Sequence, residues 1–255
     1  QIGNEEVTNG DFSQIGSELV TNGDFATDSN WVKQTGWSIA NGLASSDGSQ
    51  SLPESIYQNG VTVVGKIYKI TYTIVSRTSG SVRAMAGSLR RTYQSTPNTY
   101  IEYLTATGNV SIGIQANADF VGSIDNVSVK EVGQDWTLQN GWSMGDSVAI
   151  FNGSVSAYRK LFQENIITIG NQYKLTFEIK SISSGSIANL EPNSPSFNSI
   201  GVKTQYFTAT YDDLFLEPTN DAVLTIDNIS VKEVGQDWSF GTGWSMGDGK
   251  AVRVA

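Results

Sequence analysis

The sequence predicts an all-β fold of tandem β-sandwich (jelly-roll) domains. Three observations carry that prediction: a turn-rich composition, strict two-residue alternation in the apolar segments, and a long internal repeat. Of 255 residues, 38% are hydrophobic and only 16% charged, with 26 Gly and 5 Pro. Ser, Thr and Asn fill much of the remainder. Helices draw on Ala, Leu, Glu and Lys, whereas this palette suits short strands joined by many turns.

The repeat sets the domain plan. Asp135-Trp136 and Asn140-Gly141-Trp142-Ser143 repeat Asn30-Trp31 and Thr35-Gly36-Trp37-Ser38. The same offset carries Gln58 to Gln163 and Tyr68-Lys69-Ile70-Thr71 to Tyr173-Lys174-Leu175-Thr176. Each copy closes on one motif, Ile124-Asp125-Asn126-Val127-Ser128-Val129 and Ile226-Asp227-Asn228-Ile229-Ser230-Val231. The offset shrinks slightly along the copy, as loop deletions would cause. Asp237-Trp238 and Gly243-Trp244-Ser245 then open a third copy. The expected division is an N-terminal segment 1–16, a first module 17–134, a second module 135–236, and the start of a third repeat at 237–255. Seams such as Val132-Gly133-Gln134-Asp135 are too short for flexible tethering. The opening Val-Thr-Asn-Gly-Asp-Phe occurs twice, at 7–12 and 20–25, and copy two lacks it. Only one of these segments can fill the first-strand slot of copy one; the other reads as the end of an upstream module's linker. The incomplete third copy leads us to expect either a longer natural chain or a last segment that serves as a partner strand elsewhere.

Within a copy the strands are legible. Tyr68, Ile70, Tyr72 and Ile74 fall on one face, with Lys69, Thr71 and Thr73 on the other. Tyr173, Leu175, Phe177 and Ile179 repeat the pattern, and Ile112 and Ile114 alternate with Gly113 and Gln115. Alternation rich in aromatic and β-branched residues marks half-buried strands. Clusters such as Asp47-Gly48-Ser49 and Ser183-Ser184-Gly185-Ser186 mark turns. No segment carries a helical period of ordinary length.

The balance of charge excludes several functions. The net charge is −9, from 16 basic and 25 acidic residues. Nucleic-acid binding depends on basic residues neutralising phosphates, so neither nucleic acid nor an anionic membrane is an expected partner. No apolar run approaches the ~20 residues of a spanning helix. With no Cys and no His, thiolate nucleophiles, the usual zinc sites and Ser-His-Asp triads are impossible. Asp212-Asp213 are neighbours in sequence, and neighbours in a strand face opposite ways. A glycosidase instead needs two carboxylates across a cleft. The chain is therefore read as no enzyme.

The opening Glu18-Leu19-Val20-Thr21-Asn22-Gly23-Asp24-Phe25, with Trp31 and Gly36-Trp37, resembles the start of jelly-roll carbohydrate-binding modules attached to glycoside hydrolases. The Ile-Asp-Asn-Val-Ser-Val ending resembles their last strand. The repeated Val-Lys-Glu-Val-Gly-Gln-Asp-Trp is also similar to tandem modules of phage tail fibres and other virion surface proteins. The resemblance implies a structural or adhesive protein of a virion surface or tail fibre, one whose modules space, display and touch host glycans. It implies a homo-oligomer or larger assembly, at a virion surface or otherwise extracellular. The alternatives are the carbohydrate-binding region of a secreted bacterial glycan-degrading enzyme and a bacterial surface adhesin or filament subunit.

Two candidate sites follow. Such modules often hold a structural calcium ion between the opening strand and the closing Asp. Here Asp24 and Asp125 would supply the hard oxygen ligands that Ca2+ takes. The competing reading gives both Asp side chains to turns and bulges. A sugar-binding face would use aromatic rings and planar polar groups. The candidates are Tyr57, Arg83, Tyr93, Tyr103 and Gln115 in copy one, and Tyr158, Tyr206 and Phe215 in copy two. The competing reading makes these rings core or cross-strand partners. The six Trp residues recur at fixed repeat positions, as packing anchors do. Arg83 becomes Ala188 and Gln115 has no obvious counterpart, so the two copies are not expected to bind the same ligand.

Overall fold

The structure, a computed structural model, describes residues 2–153 and 156–253. All of its regular elements are strands, and all the strand pairs are antiparallel. The chain is an all-β protein of sandwich domains. It forms two compact units: Ile15–Val132, and the stretch ending at Gln14 together with the chain from Gly133 on.

In the first unit one sheet runs in the order Thr99–Thr105, Ile67–Ser79, Val121–Val132, Leu43–Asp47, Trp37–Ala40. The opening strand Ile15–Glu18 adds to the far end of Val121–Val132. The second sheet runs Val32–Lys33, Glu54–Gln58, Ile112–Ala116, Val82–Ala86, Leu89–Arg90. Between them lies one core, to which Tyr68, Ile70, Tyr72 and Ile74 contribute from one sheet. Ile56, Ile112, Ile114, Val82 and Ala84 contribute from the other. Those are the inward positions of the alternation read from sequence.

The second unit repeats this plan. Its larger sheet runs Trp142–Met144, Ala149–Asn152, Val223–Val234, Gln172–Ser184, Gly201–Thr208. Its smaller sheet runs Thr137–Leu138, Leu161–Gln163, Leu214–Pro218, Ile187–Asn189. The opening strand here is Ile2–Glu5, paired with Val223–Val234. The stretch expected to stand apart as an N-terminal flank is therefore the first strand of the second module. The physical reason is local and repeated. Glu18 accepts the Val129 N–H and the Ser128 hydroxyl at 2.8 and 2.6 Å. Glu5 accepts the Val231 N–H and the Ser230 hydroxyl at 2.7 and 2.5 Å.

The Asn-Gly-Asp-Phe turn then places an aromatic anchor. Phe25, 1% exposed, packs 5.2 Å from the Trp31 ring, and the Trp31 indole N–H donates to the Asn22 carbonyl at 2.8 Å. Phe12, 2% exposed, packs 5.4 Å from Trp136, whose indole donates to the Asn9 carbonyl at 2.9 Å. Gly23 and Gly10 are required in these turns, because a Cβ would sit 1.9 Å from the Val127 and Ile229 carbonyl oxygens respectively. The second module thus has its opening strand, but more than a hundred residues upstream of where the repeat would place it. The third repeat forms a hairpin, Trp244–Gly247 with Lys250–Arg253, in the register of Trp142–Met144 with Ala149–Asn152.

Candidate functional site

Alternation puts every second residue of the first module's smaller sheet on its outer face. Ile56, Ile112, Ile114, Val82 and Ala84 point into the core. Tyr57, Gly113, Gln115 and Arg83 therefore point away from it. Register sets two rows across the strands. One row is Val32, Tyr57, Gly113, Met85 and Arg90; the next is Ser55, Gln115 and Arg83.

The side chains of the second row hold each other. Arg83 donates from both Nε and Nη2 to Gln115 Oε1, at 3.0 and 2.8 Å. Its guanidinium carbon lies 4.2 Å from the centroid of the Tyr93 ring, within cation–π range. Tyr93 is brought there by the edge stretch beyond Leu89–Arg90, which bridges back at Gln94 to Val82. Arg90 donates to the Gly87 and Leu89 carbonyls at 2.6 and 3.0 Å. Burial, then the nearby Arg83 charge, lowers its pKa. The next residue, Arg91, turns instead to Glu102 at 3.5 Å.

Gly113 leaves a bare floor beside Tyr57. A Cβ there would sit 2.2 Å from the Ile56 carbonyl oxygen and 2.7 Å from the Tyr57 Cα, so close strand approach excludes a side chain. Tyr57, Arg83, Arg90, Tyr93 and Gln115 are all half-buried around this low stretch of the face, the trough, and Met85 lies between Gly113 and Arg90.

The second module builds a different surface on the same frame. Register makes Phe162 the counterpart of Tyr57, Phe215 of Gly113, Glu217 of Gln115 and Ala188 of Arg83. Gln115 thus has a counterpart that the sequence comparison did not find. Phe215 fills the position that is bare in the first module, 5.6 Å from both Phe162 and Tyr211. Lys160 sits 4.1 Å above the Phe215 ring, and Arg159 pairs with Glu217 at 2.9 Å. This face is an aromatic plateau with its guanidinium neutralised.

Of the sequence-predicted residues, Tyr57, Arg83, Tyr93 and Gln115 come together on one face. Tyr103 does not: it lies opposite Lys69 on the outer side of the other sheet, its ring 5.9 Å from the ammonium. In the second module Phe215 is on the corresponding face. Tyr206 is opposite Lys174 on the other sheet and lines a cleft of about 370 Å3 with Pro192, Asn193 and Pro195. Tyr158 is 74% exposed in the loop before that face. Sequence reading missed Arg90 and the role of Gly113. Gly113 was visible as an outward position with no side chain, but Arg90 is adjacent to Arg91 and nothing local says which faces out.

Asp24 Oδ1 accepts the Ala26 N–H, and the Asp125 carboxylate takes the N–H and side-chain amide of Asn126. Asp227 bonds Asn228 in the same way. Burial raises its pKa, and the nearby negative charges of Glu178 and Asp11 add to that. Among the described residues no three or more Asp, Glu, His or Cys side chains gather as a metal cluster. Asp213 bonds the Asn165 N–H at 2.8 Å, a loop role.

Two carboxylates among the described residues are buried: Glu191, 5% exposed, accepts the Thr210 N–H and hydroxyl at 2.9 and 2.6 Å. Glu102, 8% exposed, accepts the Tyr72 hydroxyl at 3.2 Å, and burial raises its pKa. It sits on the core side of its strand, away from the outer face. The counterparts of this pair in the second module are Phe177 and Gln205. Trp31, Trp37, Trp136 and Trp142 are 6–7% exposed, as packing anchors should be, whereas Trp238 is 74% and Trp244 45% exposed.

No family model and no curated protein matches this sequence. Among solved structures, the chain is similar to the N-terminal CBM22-1-CBM22-2 tandem domain of Paenibacillus barcinonensis Xyn10C. Identity there is 9% and the TM-score 0.33, over 87% of this chain and 98% of that one. A Paenibacillus xanthan lyase matches at 11% identity and a TM-score of 0.28, over 86% of this chain and 25% of that one. AerE from Microcystis aeruginosa matches at 10% identity and a TM-score of 0.15, over 75% of this chain and 91% of that one. Among the described residues no helix is long and apolar enough to cross a membrane.

Proposed function

We propose that the chain is a non-catalytic glycan-binding protein, each module offering the outer face of its smaller sheet to saccharide. The observation that carries this reading is the convergence of Tyr57, Arg83, Tyr93 and Gln115 on one accessible sheet face. Sugars are held by stacking on rings and by planar hydrogen-bonding groups, and both are present there. The second module supplies the ring component through Phe162, Phe215 and Tyr211.

The setting we propose is extracellular display, at a virion surface or tail fibre, in a homo-oligomer or larger assembly. The repeated seam sequences, which suit spacing, support it. The reading as a binding region of a secreted glycan-degrading enzyme shares the same face. A structural calcium at Asp24 and Asp125 belongs to the proposal as well.

A glycan array tests the binding function, followed by affinity electrophoresis of Tyr57→Ala and Phe215→Ala on any polysaccharide found. Each variant should lose roughly tenfold or more in affinity with an unchanged melt, the order expected for one ring contact. An array without hits would overturn the proposal. Light scattering tests the assembly: a monomer at high concentration would overturn the oligomer.

A further inference from the structure

The two faces differ in one respect that bears on the ligand. In the second module the guanidinium near the face is neutralised, Arg159 against Glu217 at 2.9 Å. In the first module Arg83 and Arg90 have no carboxylate within ion-pair distance among the described residues. Arg83 is held by a neutral amide and a ring. Arg90 is held by two backbone carbonyls. The neighbouring Arg91, by contrast, has Glu102.

Arg90 lies on the strand next to that of Arg83, opposite Met85; burial and, after it, the Arg83 charge lower its pKa. An incoming anion would offset the repulsion between the two guanidiniums. A guanidinium presents a planar fork that matches a carboxylate in two parallel hydrogen bonds. Arg83 is already held by Gln115 and the Tyr93 ring, so less side-chain entropy is left to lose on binding.

Resting on the proposed glycan-binding reading, we infer that the first module's trough selects an acidic glycan. A uronic-acid carboxylate would lie between Arg83 and Arg90, and the sugar ring would lie over Gly113 beside Tyr57. The second module's plateau has Phe215 in place of Gly113, its ring under the Lys160 ammonium, and its guanidinium paired with Glu217, so it offers a carboxylate no pair of guanidiniums.

The test is affinity electrophoresis of the full chain in gels containing polygalacturonate, alginate or hyaluronan. The same polymers after carboxyl reduction, neutral xylan and β-glucan, and dextran sulfate serve as comparisons. Retardation is expected on at least one uronate gel. It should vanish on the carboxyl-reduced polymer, weaken with added salt, and fall roughly tenfold or more in Arg83→Gln. Lys203→Gln, which removes a cation on the larger sheet of the second module, should leave the uronate retardation unchanged. Arg90→Gln should act similarly to Arg83→Gln; if it unseats its turn and lowers the melt, Arg83→Gln decides, because Arg83 bonds no backbone group.

Retardation on neutral polymers alone would overturn the inference and leave the glycan-binding reading standing. No retardation on any polymer would overturn both. Equal retardation on dextran sulfate would show an undiscriminating polyanion site and overturn the uronate assignment.

Discussion

Phe12→Ala will destabilise the C-terminal module and spare the module that follows it in sequence. Phe12 is 2% exposed, packs 5.4 Å from Trp136, and closes the turn whose Asn9 carbonyl accepts the Trp136 indole N–H. Truncating a buried Phe costs ~3–5 kcal/mol. A domain of about a hundred residues has ~5–15 kcal/mol in all. The transition of that module should therefore fall on the order of 15 °C, with the other transition nearly in place. Phe25→Ala is the mirror experiment, since Phe25 packs on Trp31 within residues 15–132. Differential scanning calorimetry resolves the two transitions, and hydrogen exchange assigns them through amides of Leu175 or Ile70. If Phe12→Ala instead deprotects Ile70, or leaves Leu175 protected, the assignment of the N-terminal strand to the second module is wrong.

Two further outcomes are expected. Glu102 has its pKa raised by burial, so the folded chain binds that proton more tightly than the unfolded chain does. Its contribution is fully present below the ordinary carboxylate range and is lost as pH rises through the folded value. Glu102→Gln should flatten that fall and stabilise the first module by about 1 kcal/mol at pH 7, read from melts between pH 4 and 8. A lower melt at pH 7 would mean that the Tyr72 and Arg91 contacts outweigh burial. For the proposed calcium at Asp24 and Asp125, with Asp11 and Asp227 as the corresponding pair, EDTA should lower the melt and excess calcium restore it. Melts that superimpose with and without EDTA would remove the ion.

Much of this was legible in sequence, because strands announce themselves by alternation. Tyr68 to Ile74 needed only a two-residue period to be placed inside, and the same rule put Tyr57, Gln115 and Arg83 outside. What alternation lacks is register. It gives a face of a strand but not which sheet the strand joins, so Tyr103 was grouped with Tyr57 although they lie on different sheets. Register also decides that Gln115 matches Glu217, a correspondence hidden by the shorter loops of the second copy. The larger omission was topological. Sequence comparison ranks neighbours along the chain, and the motif at 7–12 lies far from the Trp136 that it serves.

That displacement is the arrangement's main physical consequence. The chain leaves the second module after Gln14 and re-enters it at Gly133, with the whole first module between. Such an insertion is tolerable only if the insert returns the chain to where it left. Ile15 and Val132 are partners across an antiparallel pair, so the folded insert holds its two ends about 5 Å apart. Unfolded, the same stretch would be a loop of roughly 120 residues, and closing it would cost ~4 kcal/mol in the length-dependent term alone. That is a large fraction of one module's stability. The first module should therefore fold before the second and hold its loop closed, whereas loss of the second leaves the first intact. The short, near-identical seams fit this order. A closing strand that runs directly into the next module's first Trp keeps that Trp beside the returning chain, where the opening strand's Phe is already waiting.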